Sequence, residues 1–248
     1  MPRRTLLLAA LLTLALPAAA RADKVSLSAK VADCTTGATD DQRAAAFTGS
    51  MPSTAGTKRM QMRFLLTQRL GPGPKGTYKK LSVPGWGGWE KSYPGKQGFV
   101  FTKRIEALTA PAAYRAIVTF RWLDAKGHVL RTTSRTSAAC EVPDPRPDLV
   151  LAGVDAAATG KDTAAYTVAV GNEGHSEAVP FAVTVTVGGV VSDPVILGPI
   201  AAGDRVSGTL AAPRCVPGST ITVTIDAANA VDESVEDDDV VERPCPLA

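Results

Sequence analysis

The sequence predicts an all-β protein of two β-sandwich domains in tandem. Apolar and polar residues alternate in many short stretches of the 248-residue chain, which is typical of half-buried strands. Three prolines at alternate positions in residues 142–147 exclude a helix or a central strand there, so this stretch predicts a linker. Each side of the linker carries two of the four cysteines. We therefore expect one disulfide-bonded domain at residues 23–141 and another at 148–248.

The first residues have the pattern of a secretory signal peptide. Arg3 and Arg4 precede an apolar run at residues 6–16, which is too short to span a bilayer, and small residues follow up to Ala22. We expect cleavage after Ala22, so that residues 1–22 are removed. The rest of the sequence contains no second apolar segment of spanning length. These observations predict a secreted protein, either released or held at the cell envelope by binding.

The four cysteines predict two disulfide bonds, because their number is even and an exported protein meets an oxidising compartment. Three pairings are possible. We expect Cys34–Cys140 and Cys215–Cys245, since each pair then lies on one side of the linker. A metal site is a weaker alternative, because no two cysteines are close in sequence.

The first predicted domain contains several short strands with turn signals between them, which indicates a β-sandwich. Its strands are predicted at residues 25–31, 45–49, 60–66, 99–101, 114–122 and 128–133. Tyr114 enters the strongest of them shortly after Pro111. This arrangement resembles the tyrosine corner of immunoglobulin-like and fibronectin-type sandwiches, in which the hydroxyl group bonds the backbone upstream. The alternative is an ordinary core tyrosine.

A loop at residues 83–95 places Trp86 and Trp89 among glycines and prolines. Exposed aromatic rings in such a loop could stack on sugars or fill a pocket in a partner protein. The alternative, which we favour, is that both rings fold back against the sandwich, because large aromatic side chains are usually well buried.

The second predicted domain also consists of short alternating strands, about seven in number. Six of them are predicted around residues 149–151, 164–170, 181–187, 195–197, 206–210 and 221–225, and Gly188-Gly189 predicts a hairpin turn after the third of these.

Four sequence blocks stand out in this domain: PDLV at residues 147–150, VAVGNEG at 168–174, LGPIAAG at 197–203 and IDAANAVDES at 225–234. Together they resemble a known family, CARDB, the cell-adhesion-related domain found in bacteria. The resemblance implies an immunoglobulin-like fold and a secreted or surface protein with an adhesion role. Members of the family usually carry an asparagine pair after the acidic stretch, whereas residues 236–239 here are all acidic.

The sequence does not predict an enzyme. Its two histidines, His128 and His175, lie in different domains, and no nucleophile elbow, phosphate-binding loop or paired-histidine motif is present. A serine hydrolase that uses His175 is a remote alternative.

Acidic residues crowd the end of the last predicted strand, which suggests calcium as the one possible cofactor. The candidate ligands are Asp226, Asp232, Glu233 and Glu236, because carboxylate oxygens are the ligands that Ca²⁺ prefers. The alternative is a solvated acidic segment, which such charge runs usually are.

The charges divide sharply between the two domains. Residues 23–146 contain 20 Lys and Arg against 9 Asp and Glu, and residues 147–248 contain 4 against 15. A field of this size directs binding to partners. The polar positions of the alternating stretches in the first domain include Arg59, Arg63, Arg115 and Arg121, which we expect to face water and to meet an anion.

These features predict a secreted, non-catalytic binding or adhesion protein. The expected partner is an unidentified protein or an anionic or glycan polymer of the envelope; nucleic acid is not expected, since no recognition motif is present. The alternative function is a structural accessory that assembles with itself or with the envelope and has no ligand of its own.

Overall fold

A computed structural model describes residues 25–247 of the chain. The predicted signal peptide, residues 1–22, lies outside them. The described part is almost entirely β-structure and forms two immunoglobulin-like sandwiches, each made of two antiparallel sheets. Within residues 25–247, no helix is long and apolar enough to cross a membrane.

The first sandwich contains nine strands and a short 3-10 turn at Asp40–Gln42. The strands are β1 (Ser28–Thr36), β2 (Arg43–Pro52), β3 (Arg59–Leu70), β4 (Lys79–Leu81), β5 (Trp89–Lys91), β6 (Gly98–Glu106), β7 (Ala112–Leu123), β8 (Val129–Thr136) and β9 (Cys140–Val142). One sheet has the order β1-β2-β6. The other has the order β4-β3-β7-β8, with β5 also paired to β3 and β9 to β7.

The centre of the larger sheet is the long antiparallel pair β3 and β7, which runs from Arg59 opposite Leu123 to Leu70 opposite Ala112. From Met60 to Leu66 and from Tyr114 to Trp122, every second residue is buried, as the alternation predicts. Beyond Leu66 the pattern breaks, because Thr67 and Arg69 are buried. The two sheets enclose a core whose large members are Phe47, Met51, Met60, Met62, Phe64, Leu66, Tyr114, Phe120 and Trp122. The outward side chains of β3 and β7 are therefore left on the surface of the sheet.

The second sandwich contains eight strands. They are β10 (Leu149–Ala158), β11 (Thr163–Asn172), β12 (Phe181–Val187), β13 (Val190–Val191), β14 (Val195–Leu197), β15 (Arg205–Pro213), β16 (Thr220–Thr224) and β17 (Val240–Pro244). One sheet has the order β10-β11-β15 and the other β13-β12-β16-β17, with β14 also paired to β12. Its separate core includes Leu149, Tyr166, Val168, Phe181, Val183, Val185, Val223 and Ile225.

Both predicted disulfides are present, and each joins the two sheets of one sandwich. Cys34 on β1 is bonded to Cys140 on β9, with 5.6 Å between the Cα atoms. Cys215, just after β15, is bonded to Cys245, just after β17, with 5.8 Å between the Cα atoms. The described residues contain no free cysteine.

The tyrosine corner is also confirmed. The Tyr114 side chain is buried, and its hydroxyl donates to the carbonyl oxygen of Thr109 at 3.0 Å. The same hydroxyl accepts a hydrogen bond from Gln68 Nε2 at 2.8 Å. It therefore ties the loop before β7 to the neighbouring strand β3.

The predicted linker is bonded to the second sandwich at its carboxyl end. The amide of His175 donates to Arg146 O at 3.0 Å, and that of Ser234 donates to Pro147 O at 2.9 Å. Gly174 lies directly below this segment: a Cβ atom there would be 2.5 Å from three backbone atoms of residues 146–148. Along the sequence, the first core ends at Val142 and the second core begins at Leu149. The exact domain boundaries, at 141/142 and 147/148, stay predictions.

Candidate binding face and acidic cluster

The predicted arginines lie on the outward surface of the larger sheet of the first sandwich. We call this surface the basic face and define it by Arg59 and Arg63 of β3, Arg115 and Arg121 of β7, Lys80 of β4, Trp89 and Lys91 of β5, and Tyr78 just before β4. Cross-strand pairing brings these strands side by side, with Trp89 opposite Arg63 and Gln61 opposite both Lys91 and Arg121. The face is thus a consequence of the same alternation that buries the core.

Trp89 is the centre of one cation–π cluster on this face. The guanidinium carbon of Arg121 lies 4.0 Å from the centre of the indole ring, and that of Arg63 lies 5.0 Å away. Such contacts stabilise the arginines by about 0.5–1 kcal/mol each at exposed sites and hold their planes in place. Three of the residues proposed from the sequence are therefore brought together.

Tyr78 forms a second cluster, which the sequence analysis missed. Arg115 lies 4.3 Å from the centre of its ring and Arg69 lies 5.6 Å away. Arg69 is buried and donates to Lys75 O and to Glu141 Oε2. The sequence signal that could have indicated this cluster was a single tyrosine, followed by two lysines, after a stretch rich in glycine and proline.

The arginines of the two clusters on the basic face lack acidic partners among the described residues, except Arg69. Among residues 25–247, Arg63, Arg115 and Arg121 form no ion pair, whereas Arg69 and Arg104 are paired with carboxylates. The Nε atoms of Arg115 and Arg121 are shielded from solvent and have no hydrogen-bond partner in the described part of the chain. The face therefore carries positive charge that the protein itself does not neutralise.

A pocket of about 180 Å³ lies between the two clusters. It is lined by Arg63, Leu65, Lys80, Gly87, Ile117 and Thr119. Leu65 and Ile117, which lie opposite each other on β3 and β7, are its apolar lining residues, and Arg63 and Lys80 are its cations. This arrangement suits an anionic group attached to a less polar body.

The structure separates the remaining proposed ligand residues from the clusters. Trp86 packs inward, edge-on to Phe47 and Phe64 with ring centres 6.3 and 6.2 Å away. Arg59 is exposed at the far end of β3, beside the turn at residues 124–127.

Arg115 and Arg121 are only half-exposed, contrary to the expectation that they face water freely, because aromatic rings cover them.

Two of the four acidic residues proposed for calcium are buried, whereas Asp232 and Glu236 are exposed. Glu233 is fully buried and Asp226 is 5% exposed. Asp226 Oδ2 accepts from the amide of Val231 at 2.7 Å, and Glu233 Oε2 accepts from the amide of Leu149. Asp232 differs from them, because its exposed carboxylate is paired with Arg146 at 2.6 Å.

Three acidic residues that the sequence analysis did not propose as ligands belong to the same cluster: Asp148, Asp238 and Asp239. Five buried carboxylate oxygens of the cluster have no hydrogen-bond partner among residues 25–247: Asp148 Oδ1, Asp226 Oδ1, Glu233 Oε1, Asp238 Oδ1 and Asp239 Oδ1. We call residues 148, 226, 233, 236, 238 and 239 the acidic cluster.

The pKa values of Glu233, Asp238 and Asp239 are raised, which is the reverse of the effect of an ion pair. Burial raises the pKa of Glu233 to about 8, against the opposing effect of the Leu149 amide, and the charges of Asp239, Glu236 and Asp226 add to the rise. Burial, followed by repulsion from Glu236 and Asp226, raises the pKa of Asp239 to about 6. Burial also raises the pKa of Asp238.

The side chains of the acidic cluster do not form a coordination sphere for a metal ion. Across residues 25–247, no three histidine, cysteine or acidic side chains are grouped so that they could hold a metal ion as they stand.

The two histidines lie apart, one in each sandwich, and both are exposed. His128 Nδ1 lies 3.1 Å from Asp124 Oδ2. The Asp124 carboxylate also accepts the amides of Lys126 and His128, both at 2.8 Å, so it serves the turn before β8.

Comparison with protein families adds one finding to this geometry. Residues 146–243 match the CARDB family model. The second sandwich therefore matches the CARDB family, as the four sequence blocks predict. The match begins at the segment whose carbonyl groups accept the amides of His175 and Ser234. No curated protein sequence matches the chain significantly.

Several solved structures resemble the chain at low similarity. The class 5 fimbriae chaperone CfaA is 11% identical, with 88% of this chain and 98% of that chain covered and a TM-score of 0.28. The CsuC–CsuE chaperone–tip adhesion subunit pre-assembly complex of Acinetobacter baumannii is 13% identical, with coverage of 87% and 97% and a TM-score of 0.26. The FN1–FN3 domains of chicken CNTN1 are 12% identical, with coverage of 88% and 66% and a TM-score of 0.23.

Proposed function

We propose that this chain is a secreted, non-catalytic bacterial adhesion protein whose basic face binds an anionic polymer of the cell envelope. The observation that carries the proposal is the pair of arginine–aromatic clusters on the basic face, whose cations Arg63, Arg115 and Arg121 form no ion pair within residues 25–247. The CARDB match supports the adhesion role, and the disulfides support an exported protein.

The chemistry of the clusters favours phosphate or carboxylate groups as ligands. A guanidinium group presents several N–H donors in a planar fork that fits both anions, and hydrogen bonds between charged groups are about twice as strong as neutral ones. Stacking on Trp89 and Tyr78 fixes the arginine planes, so less side-chain entropy is lost when an anion binds. The sheet surface offers repeated cations, which suits a polymer with repeated charges.

The charge division supports the same assignment. Residues 23–146, which carry the basic face, contain 20 basic residues and only 9 acidic ones. A field of this sign raises the local concentration of an anionic polymer, and salt weakens it over a Debye length of about 10 Å at 0.1 M.

The test measures binding of the full chain to an immobilised glycerol-phosphate polymer over a salt series. Replacement of both Arg63 and Arg121 by Gln should weaken binding by at least about tenfold, since each charged hydrogen bond contributes roughly 1.5 kcal/mol or more. Affinity of the natural chain should fall steadily as salt rises. Neutral dextran should not be bound.

The matched control is Arg135→Gln, which removes the same charge from the edge strand β8 away from both clusters. Its side chain donates to the neighbouring carbonyl of Ser134. If Arg135→Gln and Arg121→Gln weaken binding equally, the affinity depends only on the net charge of the protein, and the basic face is not the binding site. Binding that is absent, or indifferent to salt, would contradict the proposal and leave a structural accessory as the better reading.

A further inference from the structure

A second pocket lies at the end of the basic face, where β3 begins. Its volume is about 420 Å³, and the polar side chains that line it are Lys58, Arg59, Gln61, Asp124 and Lys126. We call it the terminal pocket and define it by these five residues. It differs from the pocket between the two clusters, because three cations line it and no aromatic ring does.

Backbone hydrogen bonds fix the walls of the terminal pocket. The Lys58 amide donates to Leu123 O at 2.7 Å, and Lys58 O accepts the Gly95 amide at 2.9 Å. These two bonds join the start of β3 to the end of β7 and to the loop after β5. The fold therefore sets the positions of the segments that carry the three cations.

The cations of the terminal pocket lack acidic partners: within residues 25–247, Lys58, Arg59 and Lys126 form no ion pair. Asp124 is the one acid among the described residues that line the pocket. Its Oδ1 accepts the amides of Lys126 and His128, both at 2.8 Å. The bond from the His128 amide holds the pKa of Asp124 below its usual value, so this carboxylate is charged at neutral pH. Three positive charges thus meet one negative charge, which the turn already uses.

The terminal pocket is continuous with the cluster around Trp89. Gln61, which lines the pocket, lies opposite Arg121 of that cluster, and opposed residues of an antiparallel pair are about 5 Å apart at Cα. Arg59 and Arg63 are four residues apart on the same face of β3, which is about 13 Å in an extended strand. The cations therefore form a row along β3 that ends in the pocket.

We propose that the terminal pocket is a second anion subsite, which binds a phosphate group of the same polymer that the basic face holds, so that the bound polymer lies along β3. This inference rests on the proposed function, because the polymer is the ligand assigned there to the basic face.

The arrangement of donors favours phosphate over carboxylate in the terminal pocket. Lys58 and Arg59 approach from the start of β3, whereas Lys126 approaches from the turn after β7. The tetrahedral phosphate group offers oxygen atoms in several directions, but the two oxygen atoms of a carboxylate lie in one plane. The Arg59 guanidinium can bind two of these oxygens, the lysines act as point charges, and the amide of Gln61 adds a neutral donor.

The first test is an NMR titration of the full chain with glycerol phosphate, followed on the backbone amide signals of Lys126 and Gly127. We expect saturable shifts of these signals, because both residues line the pocket. The shifts should persist in the double variant Arg63→Gln/Arg121→Gln, since the arginines of the Trp89 cluster do not line this pocket.

The second test compares two pairs of lysine substitutions. Lys58→Gln/Lys126→Gln should weaken the binding of glycerol phosphate and of the immobilised polymer by about threefold to tenfold, as expected for the loss of two exposed charge pairs. Both side chains are exposed, so the fold should be kept. The matched control is Lys30→Gln/Lys161→Gln, which removes two exposed lysines from β1 and from the turn before β11. It should bind both probes as the natural chain does.

Absence of saturable shifts at Gly127 in the natural chain would overturn the subsite. Polymer binding that falls in Arg63→Gln/Arg121→Gln, but equally in both lysine pairs, would also overturn it and leave the proposed function standing. Saturable shifts in a chain that does not bind the polymer would instead contradict the proposed function, and with it the assignment of the pocket to that polymer.

Discussion

Tyr114 shows how a single hydroxyl group can fasten a turn in a β-sandwich. The hydroxyl donates to Thr109 O and accepts from Gln68 Nε2, so it satisfies two polar groups beside the first core. The sequence predicted this bond because the spacing from Pro111 to Tyr114 is a local pattern. The bond to Gln68 was not predictable, because it depends on the register between β3 and β7.

Replacement of Tyr114 by Phe should destabilise the first sandwich by about 1–2 kcal/mol, because Thr109 O and Gln68 Nε2 each lose a partner. The melting temperature of that sandwich, measured by calorimetry, should fall by roughly 4–8 °C for each kcal/mol. Tyr93→Phe is the control, since its side chain is 80% exposed. Equal effects of the two variants would show that the corner does not stabilise the fold.

Trp86 and Trp89 show that the sequence alone cannot distinguish a tryptophan that packs in the core from one that lies on the outer face. They lie three positions apart in one glycine-rich loop, yet Trp86 packs against Phe64 in the core while Trp89 contacts Arg121 on the outer face. The difference arises because Trp89 begins the three-residue strand β5. A strand so short shows no alternation of its own, so neither it nor its face could be read from the sequence.

At the scale of elements, alternation predicted the long strands well. The stretches at 60–66, 114–122 and 181–187 lie within β3, β7 and β12. The first strand begins at Ser28 and not at Val25, and β4, β5, β9 and β17 were missed. Charge runs were equally uninformative about burial: residues 232–239 look solvated in sequence, but Glu233 is buried by its bond to Leu149, a contact across 84 residues.

The linker is an element whose end depends on one glycine. Alanine at position 174 would place its Cβ atom 2.5 Å from backbone atoms of Arg146, Pro147 and Asp148. Backbone cannot yield as a flexible side chain does, so Gly174→Ala should destabilise the second sandwich by about 1–3 kcal/mol.

Gly153→Ala provides the matched control for this prediction, because nothing lies within 4 Å of the added Cβ atom at that position of β10. Calorimetry of both variants should show a lower melting temperature for Gly174→Ala alone. A similar stability of the two variants would mean that the linker moves aside easily and is not held by the second sandwich.

At the scale of the whole molecule, two separate cores and two separate disulfides predict two unfolding units. Replacement of both Cys215 and Cys245 by Ser should cost roughly 3.5 kcal/mol, because the bond closes a loop with a sequence separation of 30. Only the unfolding transition of the second sandwich should shift in calorimetry. A shift of both transitions by the same amount would show that the sandwiches unfold as one unit and would contradict the predicted domain boundaries.

The three tryptophans of the chain, Trp86, Trp89 and Trp122, all belong to the first sandwich, and the second has Tyr166 as its sole large phenolic or indole ring. Intrinsic fluorescence excited in the indole band therefore reports on the first sandwich alone. Trp89 lies directly beneath two guanidinium groups, so an anion bound to these cations changes the field at its ring. The protein thus carries its own optical label at the basic face, while the second sandwich, which contains no tryptophan, is silent to the same light.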